Sequence, residues 1–368
     1  MFAVALACAG GLAATPCELR AARPDWGAYA VCPVGVNPDS ADELYSINHY
    51  CEYQEKGREK FTWFFHSRTD QGMQGNAWSH DVTGDGVPEI VLVACVRESV
   101  WVYIINSLSG ERRKSLVTAG LPRSNSVHAF GIDVVAFADL NSDGADDVVL
   151  GLSSGYEWRS CPRGVHAIDG RTGEVLWRFG MGPNPEGLVI GDCDQDGSPE
   201  IFVSTRSPRN GCEENGTSDA NYYVICLDCR GRVRWLNELR QGAGGTVTLA
   251  QSLVDCSGRA ALVARELCSY EGANPDALVV LDAATGAELH REAAEGPERE
   301  VFVGDLDADG SSEIITSEAG VVKIRDLALK VRAKRSLESD EATILLCDHL
   351  LGRRTMAVSY THLTLPTN

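Results

Sequence analysis

The stretch DLNSDGADDVVLGL, residues 139–152, joins an acidic loop to an apolar, β-branched run. Aspartate or asparagine occupies the first, third and fifth positions of the loop, glycine the sixth, and a further carboxylate the ninth. Three other segments repeat this pattern without gaps, beginning at Asp81, Asp192 and Asp305, with Thr83 as the one departure at the third position. Such a repeat indicates a chain built from copies of one small unit, each of which needs neighbours to bury both of its faces.

A strand–turn–strand element follows most of these loops. It occurs at residues 102–116, 165–179, 223–237, 278–292 and 321–335, and all but the last have glycine in the turn. Glycine supplies the positive φ that a tight hairpin requires. Two weaker copies of the acidic loop, at residues 253–258 and 347–352, keep its phase. Each repeat therefore reads as four short strands.

A four-stranded unit of this length is typical of a propeller blade. We therefore predict an all-β chain, a β-propeller of about seven (six to eight) four-stranded blades that is truncated at its C-terminus. A stacked β-helix is the competing architecture, but its repeats are shorter. By range, we expect residues 1–20 to be a signal-like segment or membrane-anchor remnant, 21–60 a linker, 61–359 the propeller, and 360–368 a non-native tail.

Charge and composition narrow the possible partners. The 368 residues include 33 Lys and Arg against 52 Asp and Glu, which gives a net charge of −19. This excess argues against a nucleic-acid or anionic-membrane surface, because both need clustered basic residues. The apolar start of the chain favours an extracytoplasmic protein (secreted, periplasmic or cell-surface) with a possible membrane tether at the N-terminus. If the chain is exported, Cys161 and Cys212 could form a disulfide.

The repeated loops have the composition of calcium sites. Carboxylates at positions one, three, five and nine converge, glycine at position six permits a sharp turn, and the carbonyl at position seven adds an oxygen, as suits a hard cation. An EF-hand would need Glu at position twelve, where Leu92, Leu150, Val203 and Thr316 stand instead. We expect about four calcium ions, structural rather than regulatory or ligand-bridging; the alternative is four metal-free Asp–Gly turns. The predicted ligands are Asp81, Thr83, Asp85, Val87 and Glu89; Asp139, Asn141, Asp143, Ala145 and Asp147; Asp192, Asp194, Asp196, Ser198 and Glu200; and Asp305, Asp307, Asp309, Ser311 and Glu313.

The second loop and the residues before it, Phe130-Gly131-x-x-Val134 followed by 139–151, resemble the FG-GAP/VCBS repeats of integrin-α-like propellers. The resemblance extends over residues 61–359 and implies a calcium-binding propeller. The hairpin Ala167-Ile-Asp169-x-x-Thr172-Gly173-x-x-x-Trp177 also looks like a quinoprotein (PQQ-type) blade repeat. Because one hairpin alone carries that full pattern, the likeness implies a blade and not a quinone cofactor.

Three long loops, at 153–163, 206–221 and 266–275, occupy equivalent places in their repeats and should meet on one face. Exposed aromatic and arginine side chains favour recognition. The predicted contact residues are Tyr156, Trp158, Arg159, Arg206, Arg209 and Tyr270.

These loops lead us to expect a ligand-recognition domain, as in a sensor or adhesin, for an unidentified protein or carbohydrate. We find no catalytic motif and predict no enzyme. The alternatives are a propeller polysaccharide lyase resembling the rhamnogalacturonan type and a purely structural scaffold. A lyase would need a basic catalytic residue, and the scarcity of lysine disfavours it.

Overall fold

The computed structural model describes residues 28–37, 40–47, 50–55, 58–64, 76–95, 99–106, 111–119, 130–155, 158–159, 163–239, 244–268, 276–294, 301–306, 309–318, 321–336, 342–347 and 355–360. Within these residues the regular structure is entirely β, and no helix occurs. Consequently no helix in this part of the chain is able to cross a membrane.

The strands are β1 (Ala28–Asn37), β2 (Ser40–Ile47), β3 (Tyr50–Glu55), β4 (Arg58–Phe64), β5 (Asn76–His80), β6 (Glu89–Cys95), β7 (Ser99–Asn106), β8 (Arg112–Ala119), β9 (Phe130–Ala138), β10 (Asp147–Ser154), β11 (Gly164–Ile168), β12 (Val175–Gly180), β13 (Asn184–Gly191), β14 (Glu200–Arg206), β15 (Glu213–Glu214), β16 (Thr217–Ser218), β17 (Tyr223–Leu227), β18 (Val233–Glu238), β19 (Gly245–Leu249), β20 (Val254–Asp255), β21 (Ala260–Cys268), β22 (Ala277–Asp282), β23 (Glu288–Ala293), β24 (Val301–Gly304), β25 (Glu313–Glu318), β26 (Val321–Arg325), β27 (Val331–Ser336), β28 (Ala342–Cys347) and β29 (Thr355–Tyr360).

The chain divides into two compact units, one over Ala21–Thr246 and the other containing Val247–Asn368. In the first unit, the antiparallel strand orders are β1-β2-β3-β4, β5-β6-β7-β8, β9-β10-β11-β12 and β13-β14-β17-β18. In the second unit, β21-β22-β23 and β24-β25-β26-β27 follow the same order, β19 lies beside β21, and β28 pairs with β29. The predicted four-stranded blade is confirmed, while the number of blades stays a prediction.

Neighbouring blades of the first unit pack face to face through alternating strand residues. On β10, Val148 and Leu150 face the β5–β8 sheet, whereas Val149 faces the β13–β18 sheet. Successive side chains of a strand point to opposite faces, so one continuous apolar run supplies both layers. Each such side chain contributes about 1.5–3 kcal/mol when fully buried. The long apolar run after each acidic loop is thus the middle of a blade.

The hairpins form at the predicted turns. In the β11–β12 hairpin, Gly173 has φ +78° and its N–H donates to the Asp169 carbonyl at 2.8 Å. The Asp169 carboxylate accepts the Thr172 N–H at 2.6 Å. The β22–β23 turn repeats this arrangement, with Gly286 donating to the Asp282 carbonyl at 2.8 Å. The D-x-x-T-G pattern therefore fixes the turn through its own side-chain and backbone bonds.

Two parts of the structure differ from the sequence-based expectation. Residues 28–64, mostly expected to be a linker, contain β1–β4 in consecutive antiparallel order. This sheet has no acidic loop to mark it in the sequence. The weak loop copy at 253–258 is a tight hairpin, in which Ser257 and Gly258 have φ of 57° and 82° and the Cys256 N–H donates to the Arg259 carbonyl at 2.8 Å.

Several predictions fall on residues outside the described part of the chain. They concern the whole signal-like segment, the tail beyond Tyr360, Cys161 of the suggested disulfide, and the last weak loop copy beyond Cys347. Cys212, the other half of that disulfide, is buried, and its thiol lies 3.8 Å from the Met181 carbonyl.

Candidate functional site

The acidic loops share one hydrogen-bonded frame. In every copy, the N–H of the glycine at position six donates to the carboxylate at position one, at 2.8–2.9 Å. The N–H at position seven donates to the carboxylate at position five, at 2.7–2.9 Å. These glycines are Gly86, Gly144, Gly197 and Gly310, with φ of 84–90°. Backbone N–H groups thus hold the carboxylates at positions one and five, so the loop conformation is defined by hydrogen bonds within the chain.

The carboxylate at position nine begins the buried strand and closes the loop. One of its oxygens accepts the N–H at position two, at 2.8–3.2 Å in the four copies. Burial, together with the nearby Asp85 charge, raises the pKa of Glu89 to about 7. Burial likewise raises the pKa of Asp147 to about 6, although N–H donors from Leu140 and Gly170 oppose that rise. A bound cation would relieve both unfavourable charges.

The third loop brings three acidic ligands close together. Carboxylate oxygens of Asp192, Asp194 and Glu200 lie within 4.8 Å of one another. Asp192 and Asp194 are exposed while Glu200 is buried, so the cluster opens to solvent on one side. Oxygen donors at this spacing fit a hard divalent cation such as calcium. This is the metal-binding arrangement that the sequence predicts at positions one, three and nine.

A cationic side chain already lies in this third loop. Arg234 of β18 places Nη2 at 2.6 Å from Asp194 Oδ2, and its Nη1 contacts Glu200 Oε1. This hydrogen-bonded partner holds the pKa of Asp194 below its usual value. The sequence-based ligand list does not include Arg234. The sequence feature that distinguishes Arg234 is in the hairpin segment GRVRWL, where arginine replaces the leucine of the preceding hairpin segment, GEVLWR.

The first and second loops are close neighbours in space. A Cβ on Gly84, at position four, would lie 2.6 Å from the Gly144 carbonyl, and Gly84 also has φ +72°. His80, one residue before the first loop, places Nε2 at 2.6 Å from Asp146 Oδ2 and stacks on Phe137. Glycine at position four of the first loop is therefore required by close packing as well as by conformation.

The residues at position three of the first two loops differ in their hydrogen-bond partners, and the fourth loop is described only in part. Thr83 donates its hydroxyl to Glu89 at 3.2 Å, and Asn141 donates its amide to Asp169 at 3.0 Å. Asp169 is a neighbour of the second loop that the sequence-based list omits. In the fourth loop, Asp305, Asp309 and Glu313 keep the shared frame, whereas Asp307 lies outside the described residues.

The first two long loops meet, as their equivalent positions predict. Trp158 donates its indole N–H to the Asn210 carbonyl at 3.2 Å, and the Arg159 guanidinium lies 4.2 Å from the centroid of the Trp158 ring. Beneath them, Arg163 is buried and bonds to the Gly155 carbonyl at 2.9 Å and to Asn210 Oδ1 at 2.7 Å. We call residues 153–163 and 206–221 together the loop cluster.

The other predicted contact residues are less closely joined. Arg206 forms an ion pair with Glu186 at 3.2 Å, and Arg209 is exposed with φ +53°. Tyr156 and Tyr270 lie outside the described residues, as does most of the third long loop. The structure therefore brings together Trp158 and Arg159 with the 206–221 segment.

Comparison with known proteins agrees with the repeat analysis. Residues 81–150 match the family model described as FG-GAP-like repeat, and they include the first two acidic loops. No curated protein matches the chain by sequence.

Several solved structures are similar to this chain at low sequence identity. The Vibrio cholerae biofilm matrix protein Bap1 is 11% identical with a TM-score of 0.52, covering 89% of this chain and 76% of its own. A europium-containing methanol dehydrogenase is 11% identical with a TM-score of 0.51, covering 85% of this chain and 71% of its own. The rhamnogalacturonan lyase PL11 of Bacillus licheniformis is 14% identical with a TM-score of 0.48, covering 82% of this chain and 61% of its own.

At these identities the likeness speaks to fold alone. The chain therefore has a fold of the β-propeller class and carries an FG-GAP-like repeat over residues 81–150.

Proposed function

We propose that this protein is a calcium-stabilised, non-enzymatic recognition domain that works outside the cytoplasm. The calcium part rests on the loops: backbone N–H groups hold the carboxylate at position one in every copy, and three carboxylates of the third loop lie within 4.8 Å of one another. Burial also raises the pKa of Glu89 and of Asp147. A cation at each loop offsets this cost and ties the loop to the strand that it precedes. Extracellular modules bind calcium weakly, with dissociation constants of about 10⁻⁴–10⁻³ M. The calcium concentration outside cells is sufficient to fill such sites.

The recognition part rests on one observation, the contact between the two long loops of successive blades. The indole of Trp158 is held by Asn210, and the buried guanidinium of Arg163 joins both loops from below. A surface fixed in this way loses little conformational entropy when it binds. Tryptophan and arginine, here Trp158 and Arg159, are the side chains that contribute most to binding surfaces.

The calcium proposal is tested by thermal melts in calcium and in EGTA, with bound calcium counted by mass spectrometry. Each filled site stabilises the fold by about 2.7 kcal/mol at a hundredfold excess over its dissociation constant. Asp143→Asn keeps a hydrogen-bond acceptor for the Ala145 N–H but removes a charged ligand, so we expect one fewer calcium. Glu174→Gln, on an exposed hairpin turn, is the matched control. Equal melting temperatures without bound calcium would contradict the proposal.

The recognition proposal is tested on a glycan array with the calcium-loaded protein. We expect binding that Trp158→Ala weakens at least tenfold, as a contact residue worth about 1.4 kcal/mol would. Val233→Ala, an exposed apolar position on β18, is the control and should bind as the wild type does. An array without signal, or a signal unaffected by Trp158→Ala, would count against this surface. Ultraviolet-absorbing unsaturated products released from pectic polysaccharide would instead indicate a lyase.

A further inference from the structure

Arg234 crosses from the β17–β18 hairpin to the third acidic loop, which lies more than 30 positions earlier in the chain. Its two terminal nitrogens contact different carboxylates, Asp194 at position three and Glu200 at position nine. Those positions belong to opposite ends of the loop, and a divalent cation would have to draw the same two groups together. A guanidinium presents two parallel donors, which suits this bridging of carboxylates.

The first two loops connect the same positions differently. In the first, the Thr83 hydroxyl at position three donates directly to Glu89 at position nine, at 3.2 Å. In the second, Asn141 at position three donates away from the loop, to Asp169. Arg171 approaches that loop at 3.8 Å from Asp143, with both side chains substantially exposed. The third loop thus pairs a charged position three with a guanidinium, where these two have a neutral residue.

The origin of this difference is one position in the hairpin. A bulge in β18 falls between Val233 and Trp235 and leaves Arg234 out of the pairing register. The equivalent bulges in β12 and β23 contain Leu176 and Leu289, each packed against an apolar cluster. Leucine has no charge to offer the loop beside it. The same place in β27 holds Arg332, which bonds to Asp326 at 2.9 Å.

We propose that Arg234 is a built-in cation of the third loop, so that this loop is formed without calcium and calcium enters it only when the guanidinium leaves. The inference rests on the proposed calcium function of the other loops and refines it, because the four loops then differ in their need for the ion. The third loop, whose three carboxylates lie within 4.8 Å of one another, then depends less on calcium than the first two.

The test counts calcium bound to the full chain by equilibrium dialysis and mass spectrometry, at about 1 mM free calcium, near the upper limit for extracellular modules. Arg234→Leu introduces the residue that two sister hairpins carry at this place, and we expect it to bind one more calcium than the wild type. Adding Asp192→Asn should abolish that gain. Arg232→Leu is the matched control, since Arg232 bonds to Asp228 rather than to the loop.

Arg234→Gln, which keeps a polar side chain of similar reach, gives the same readout if the leucine variant does not fold. The inference is overturned if neither Arg234→Leu nor Arg234→Gln gains a calcium. It is also overturned if the gain persists after Asp192→Asn. The wild-type count tests the proposed function separately, because a wild type without any bound calcium refutes that function whatever the variants do. A gain of one equivalent confined to the Arg234 variants supports the inference.

Discussion

The Arg163 guanidinium lies 3.4 Å from the Asp219 carboxylate, and both side chains are almost entirely buried. Asp219 also accepts backbone N–H groups from Asn210 at 2.7 Å and from Gly211 at 3.1 Å. The two long loops of the loop cluster are therefore joined through a buried ion pair whose other hydrogen-bonding groups are also occupied. Such a pair depends on both partners, because either one alone is an uncompensated charge.

We expect Asp219→Ala to lower the free energy of unfolding by about 3–5 kcal/mol, because it leaves the Arg163 charge and two N–H groups without their acceptor. Urea unfolding followed by circular dichroism measures this loss. Glu213→Ala removes an exposed carboxylate from the same segment and should change stability by less than about 0.5 kcal/mol. Similar losses in the two variants would show that the buried pair contributes little.

A second prediction concerns the glycine at position six. Gly144 has φ +84°, and a Cβ built there would have no neighbour within 4 Å. Gly144→Ala should therefore cost about 1–2 kcal/mol from backbone conformation alone, without a steric clash. Gly144→Asn should lose less, because asparagine tolerates a positive φ better than alanine. Urea unfolding in EGTA checks this without a contribution from calcium, and equal losses would contradict it.

The acidic loops could be predicted from the sequence to the residue because their structure is local. Asp139 bonds to the N–H groups of Asp143 and Gly144, four and five positions later, so a short pattern determines the geometry. Arg234 could not be found in this way. Its contact with Asp194 depends on the strand pairing of a whole blade and on a bulge that turns one side chain toward the loop.

The same reasoning explains the missed sheet. Strands β1–β4 are paired in consecutive antiparallel order, as in the sheets that carry the loop, yet no Asp–Gly loop precedes them. Because the repeat is identified by its acidic loop, a four-stranded sheet without that loop is interpreted from the sequence as a linker. The loop cluster lies between these cases: its loops could be placed together by their equivalent positions, but the buried pair of Arg163 and Asp219 could not be inferred from spacing.

A third prediction concerns the contact between successive blades at Trp177. Its indole N–H donates to the Cys229 carbonyl at 2.9 Å, and a Cβ on Gly231 would lie 2.6 Å from its ring. Trp177→Phe removes the hydrogen bond while keeping an aromatic ring, so we expect a loss of about 1 kcal/mol. Gly231→Ala should lose more, because it combines the ring clash with a φ of +74°. Unfolding midpoints in urea compare the two, and a better tolerated Gly231→Ala would contradict the close contact.

The last prediction is a pH dependence centred on His166. This side chain is buried on β11, and neither ring nitrogen has a hydrogen-bond partner among the described residues. Burial, aided by the Arg178 charge, lowers the pKa of His166 from 6.5 to about 4. Between these two pH values the unfolded chain binds the additional proton, so the free energy of unfolding falls as the pH is lowered through this interval.

The full effect corresponds to about 3 kcal/mol. The pKa of Asp147, raised to about 6 by burial, also lies in this interval, so the informative quantity is the difference between the wild type and His166→Leu. We expect His166→Leu to be at least as stable as the wild type at pH 7.5, because it removes two unpaired buried nitrogens. The difference in free energy of unfolding should then increase in favour of the variant as the pH is lowered to 4.5. Parallel stability curves for the two proteins would mean that His166 is protonated as easily in the folded chain as in the unfolded one.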